Sequence, residues 1–219
     1  MNTTRWPAGL LPAAAATASA AALALSLPPL RWLIEQSMVW HMLVQMPLLV
    51  AAGALCAAAL QHWRIRRHWR PGQPAARPAT AGPLGRIDRY GLTGFMAALM
   101  VGAYWMIPAT VDRAVVLPSA DAAKIVSLWL AGAALQQAFG RAPAAVQLFF
   151  VGSALPMGVW VGVYLASTDL RLCNAYSLAS QVQTGRGMVV LSLLAGAAWL
   201  ASLRGAARPR GAAARSMQN

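Results

Sequence analysis

Six stretches of mostly apolar residues, each about a membrane's thickness long as a helix, dictate what this chain can fold into. They run roughly over Gly9–Leu27, Ser37–Leu60, Leu92–Ala109, Ala122–Phe139, Ala144–Ser167 and Gly187–Leu203. A helix needs about 20 such residues to cross the hydrocarbon core. There it must satisfy its own backbone hydrogen bonds, because no water is present to do so. Charged residues make up 11% of the 219 positions and hydrophobic ones 58%, against about 25% charged in an ordinary soluble domain. That balance excludes a disordered chain and argues against a water-soluble one. The expectation is an all-α, polytopic transmembrane helical bundle of about six helices, forming a single integral-membrane domain over residues 1–219. The first stretch is Ala-rich and the least apolar. With Arg5 before it and Ala-x-Ala runs inside it, it also reads as a cleaved signal peptide. Pro28-Pro29 would end its helix.

The loops carry the orientation. Residues 61–91 form a basic loop holding Arg64, Arg66, Arg67, Arg70, Arg77, Arg86 and Arg89, and residues 204–219 form a basic tail holding Arg204, Arg208, Arg210 and Arg215. If six helices alternate, these fall on one side with Arg5 and Arg141, giving 7 + 4 + 2 = 13 basic residues. The other side holds five: Arg31, Arg113, Lys124, Arg171 and Arg186. The positive-inside rule then puts both termini, the loop and the tail in the cytoplasm. Trp6, Trp63, Trp69 and Trp199 would lie at inner helix ends, and Trp32, Trp40 and Trp105 at outer ends, where indole favours the headgroup level. The net charge of +13 is therefore read as topology and contact with anionic lipid, not as nucleic-acid binding. The loop's Pro, Gly and Ala content reads as a flexible linker.

Polar and sulfur-bearing residues gather on the second stretch, which opens EQSMVWHMLVQMPLL. At about 100° per residue, Met38, His41, Met42, Gln45 and Met46 share one side, with Glu35 at its mouth and Trp40 opposite. Polar groups at membrane depth are costly unless paired, so they are functional candidates. Thioether and imidazole together suit Cu(I), a soft ion. The same residues also fit a simpler role, Met filling gaps and one His bonding a neighbouring helix. By the derived topology Trp105 and Met106 from the third stretch, and Gln181 and Gln183 before the last, converge on the same outer half. Cys56 lies toward the inner half and Cys173 in an outer loop, so the two are not expected to pair; Cys173 alone could serve as a periplasmic metal ligand, though a lone cysteine more often does neither. No haem is expected, because only His41 lies within the membrane stretches, and no nucleotide loop or catalytic set is present.

Three stretches resemble the CtaG-type cytochrome c oxidase assembly factors, polytopic bacterial membrane proteins associated with copper supply. The family's H-M-x-x-H-M-L aligns with Ser37–Leu43, Ser37 replacing the first His, or in a second register with His41–Met46, Gln45 replacing the second. Its W-H-x-P-x-x-[YF]-D-x-A aligns with Trp105–Ala114, with Met106 at the His. Its D-Q-Q-x-G-G-x-x-M aligns with Ser180–Met188, which keeps Gln181, Gly185 and Met188. No histidine stands near Lys124-Ile125, where the family has some. The resemblance, over about Gln36 to Leu203, implies a non-enzymatic protein of the bacterial inner membrane. It would handle or deliver Cu(I) on the outer side, with a haem-copper oxidase subunit or a copper donor protein as partner. The expected metal ligands are His41, Met38, Met42, Met106 and Met46, with Gln45, Gln181 and Glu35 around them. A degenerate scaffold without metal, or a small-solute or metal transporter, are the alternatives.

Overall fold

The computed structural model describes residues 10–68 and 88–216, with side chains through 67 and from 88 to 202. Every regular element among them is helical: α1 (Leu10–Ala24), α2 (Leu30–Glu35), α3 (Met38–Trp40), a π-helical segment (His41–Gln45), α4 (Met46–His68), α5 (Leu92–Trp105), α6 (Pro108–Val116), α7 (Pro118–Arg141), α8 (Ala144–Ser167) and α9 (Leu178–Ser216). Three rods are long and apolar enough to cross a membrane: Met38–Arg67, Ala144–Ser167 and Leu178–Ser202. The pair α5 and α6 adds a fourth if its two arms count as one broken span, bent by 75°. The chain is thus an all-helical protein with three or four candidate spans. Two of the six expected stretches fall short of that description. The first gives a helix of 15 residues, about 22 Å at 1.5 Å per residue, against a core of about 30 Å. The fourth becomes α7, long enough at 24 residues but carrying Asp121, Lys124 and Arg141.

Helix boundaries follow local chemistry. Pro108 and Pro118 each sit at the first position of their helices, where a missing N–H costs nothing. Pro108 therefore does not merely stop the third stretch; it starts α6 in a new direction. α4 runs on to His68, so Arg64, Arg66 and Arg67 lie on a helix end rather than in a loop. α9 likewise runs to Ser216, through Arg204, Arg208, Arg210 and Arg215. Arg70, Arg77, Arg86, Trp6 and Trp69 lie outside the described residues.

Packing divides the molecule. α4 crosses α7 closely, with α1 against α4 and α5 against α7; α8 and α9 form an antiparallel hairpin. At the α4–α7 crossing Gly53 faces the backbone of Trp129, and Gly132 faces the backbone of Val50. Neither helix has room there for a Cβ, the close approach that small residues allow between membrane helices. Gly162 and Gly185 do the same between α8 and α9. The hairpin reaches the rest of the bundle through α3 and the π segment at one end. At the other, Phe95 stacks on Phe150 with ring centroids 4.8 Å apart and meets Phe139 edge-on at 5.0 Å. Trp105, expected at the membrane interface, is instead buried. Its indole N–H donates to Ser127 Oγ at 2.8 Å, so its polar edge is satisfied inside the bundle.

The crossing makes a prediction. Gly53→Val or Gly132→Val should cost upwards of about 1–3 kcal/mol, since the added atoms meet backbone that cannot move aside. Gly152→Ala, with nothing within 4 Å of an added Cβ, should leave the melting temperature in detergent nearly unchanged.

Candidate functional site: a sulfur-lined cavity beside a buried ion cluster

The π segment shapes the polar end of the bundle. Its wide turn is closed by the Met46 N–H donating to the His41 carbonyl, five residues back. Such insertions are frequent at functional sites. Here it brings His41 and Gln45, both fully buried, onto one inward face, while Trp40 stands outward, 56% exposed.

His41 meets a cation. Lys124 on α7 is fully buried, with Nζ 3.4 Å from His41 Nε2, 2.7 Å from Asp121 Oδ1 and 3.9 Å from Glu35 Oε1. Arg31 completes the cluster. Its Nε donates to both Glu35 oxygens at 2.9 and 3.0 Å, and its Nη1 lies 3.2 Å from Asp121 Oδ2. Its Nη2 donates to the carbonyls of Ala114 and Val115 at 3.2 and 3.3 Å, closing the end of α6. Two cations face two carboxylates, and every member lies at least four-fifths out of solvent. An ammonium only donates, so His41 Nε2 accepts, and a neutral ring then carries its proton on Nδ1. A metal at Nε2 would have to displace the ammonium. The expectation that His41 is a ligand therefore meets a built-in cation already in place.

The sulfurs sit elsewhere. Met38, Met42 and Met106 line one cavity of about 130 Å³ with Pro108, Val111, Val161, Tyr164, Leu165, Leu172 and Cys173. Met38 and Cys173 are buried, and Met106 stands at the rim, 43% exposed. The predicted ligands are thus split: three thioethers share a chamber, His41 belongs to the ion cluster, and Met46 packs into the apolar core with Leu49 and Leu128. The outer groups are split too. Glu35 binds Arg31 and Lys124. Gln45 donates to the Leu25 carbonyl at 3.1 Å and to Ser26 Oγ at 3.3 Å, and so fastens the loop after α1 instead of orienting the imidazole. Gln181 accepts from the Leu172 N–H at 2.9 Å and donates to the Leu170 carbonyl at 3.1 Å, bracing the loop that carries Cys173.

Two features escape the sequence reading. Lys124 and Arg31 count there as outer charges. The signal was the pairs Arg31–Glu35 and Asp121–Lys124, opposite charges at helical spacing in apolar surroundings. For Cys173, read as a lone loop cysteine that could ligate a metal, what escapes is its place. Its place is set by Asp112, which accepts from the N–H groups of Asn174 and Ala175, both at 3.1 Å. That contact spans 62 residues and leaves no local trace. Cys56 and Cys173 are both free thiols. No group of three or more His, Cys, Asp or Glu side chains among the described residues is arranged to hold a metal ion.

Two outcomes are expected. Lys124→Met should destabilise the protein by about 3–5 kcal/mol, the cost of stranding a buried charge partner. Asp121→Asn in that background should add less than it costs alone, read from thermal unfolding. Burial, and then the nearby Asp112 carboxylate, push the Cys173 thiol up to about 11. At pH 8 only about one thiol in a thousand would be ionised. Cys173 should therefore resist iodoacetamide in the folded protein at pH 8 and react once the protein is unfolded.

Compared with protein-family models, curated proteins and solved structures, the chain matches none.

Proposed function

We propose that the protein is a non-enzymatic, multi-pass protein of the bacterial inner membrane that holds Cu(I) on the outer side for delivery. It acts in the manner of the CtaG-type cytochrome c oxidase assembly factors, with a haem-copper oxidase subunit or a copper donor protein as partner. One observation carries the reading: Met38, Met42 and Met106, from two separate parts of the chain, line a single cavity. Thioether donors favour Cu(I) over zinc or hard cations. Three neutral donors at a partly open rim suit an ion that must be handed on. His41 is left out of this ligand set.

The six-span arrangement with both termini cytoplasmic belongs to the same reading. α7 crosses the membrane because Asp121 and Lys124 neutralise each other and Arg31 and Glu35 within the bundle, so the helix presents no net charge to lipid. Arg31 and Lys124 also drop out of the outer loop charge. The excess of arginine at the opposite end then counts for more under the positive-inside rule. Trp32 and Leu33, exposed on α2, would rest at the outer headgroup level.

The second reading, a scaffold without metal, is favoured by Lys124: a tethered ammonium stands where His41 would bind an ion. Silver separates the two. Purified protein with one Ag⁺ retained after dialysis, lost in Met38→Leu/Met42→Leu and kept in Met46→Leu, is the expected result. Wild type and the double variant retaining equal silver would leave the scaffold. A periplasm-only reporter should be active when fused at Asp169 and inactive at Pro74 or after Asn219; activity at Pro74 reverses the orientation.

A further inference from the structure

The loop between α8 and α9 places a thiol in the thioether chamber. We propose that Cys173 is the charge-balancing ligand for the ion held by Met38, Met42 and Met106, and that it restricts the chamber to soft monovalent cations. This rests on the soft-ion reading and deepens it.

The controlling constraint on the chamber is electrostatic. Apart from Met38, Met42, Met106 and Cys173, the chamber is lined by apolar residues and Tyr164. A cation bound by three neutral thioethers alone would sit there with its full charge uncompensated, and burying an unpaired charge is costly. A thiolate removes that cost for one positive charge and no more. Binding breaks the Cys173 S–H bond and forms an S–Cu bond. The proton leaves to water, the copper stays Cu(I), and no electron moves. The bound set then carries no net charge. A divalent ion in the same place would keep one uncompensated positive charge, so zinc is refused on charge as well as on softness.

The loop holds Cys173 for this work. Asp112 from α6 fixes Asn174 and Ala175, and Gln181 from α9 fixes Leu172. Arg171 donates to the carbonyls of Asn174 at 2.8 Å and Tyr176 at 2.7 Å. The backbone is pinned on both sides of the cysteine by side chains from two helices. These contacts hold the loop so that Cys173 lines the cavity. Gln181, expected from the sequence to surround a histidine site, braces the cysteine's loop instead.

The test uses the full-length protein in nanodiscs, with Cu(I) and Ag⁺ as probes. Wild type should hold about one ion per chain and show a thiolate-to-Cu(I) charge-transfer absorption in the near ultraviolet. Cys173→Ser should lose that band and weaken Ag⁺ affinity more than about tenfold, a ligand counting for at least as much as an outer-shell group. Neither protein should hold zinc. Copper retained by wild type without the band, or equal silver affinity in Cys173→Ser, would overturn the role of Cys173 and leave the thioether reading standing. The wild-type band needs no variant, so misfolding of Cys173→Ser does not blunt the test. Wild type retaining neither ion would overturn both.

Discussion

The burial of the Lys124 ammonium is the constraint on which this polar end depends. An uncompensated charge at that depth would be prohibitive. Asp121 and Glu35 supply the opposite charge, and Arg31 balances the second carboxylate. The same contacts tie α2, the π segment and α7 together, and Arg31 closes the last carbonyls of α6. A buried ion network of this sort adds little net stability compared with apolar packing, yet breaking one member is costly. Its effect is to fix geometry. Glu35 held against α7 leaves Met38, three residues on, at the start of the rod that lines the sulfur chamber.

Chemistry at this end is then divided between two neighbouring places. His41 is absorbed by the ion cluster, on the face the π segment turns inward. Met38 and Met42 look toward α8 and the bend at Pro108, where Met106 and Cys173 join them. The division follows donor type: hydrogen-bonding groups surround the charges, and soft sulfur donors line the apolar space. The glycine crossing of α4 and α7 keeps the ion cluster compact. The α8–α9 hairpin, held by its own glycines, supplies the far wall of the chamber and the loop that bears the thiol.

Much of this was legible in the residues and some was not. The apolar runs gave the helical class, and the helical spacing put Met38, His41, Met42 and Gln45 on one side, but the structure sends His41 to the ion cluster and Gln45 to the loop after α1, while Met38 and Met42 line the cavity. The third stretch, read as Leu92–Ala109, ends at Trp105, and Pro108 starts a new helix bent away by 75°. Lys124 was misplaced because a charge near the end of an apolar run is ordinarily solvated, and only its three-residue spacing from Asp121 hinted otherwise. Trp105 was taken for an interface anchor because the bond to Ser127 joins separate helices. Cys173 was undervalued for the same reason: what positions it, Asp112 and Gln181, is distant in sequence and accepts from backbone N–H groups that any residue but proline could donate.

The central claim is that sulfur alone holds the ion. X-ray absorption at the copper edge of Cu(I)-loaded protein tests it directly. The account predicts a first shell of sulfur only, without the outer scattering of an imidazole ring, and the same spectrum in His41→Gln. A shell containing imidazole nitrogen that disappears in His41→Gln would contradict it, returning His41 to the metal and Lys124 to a displaced neighbour.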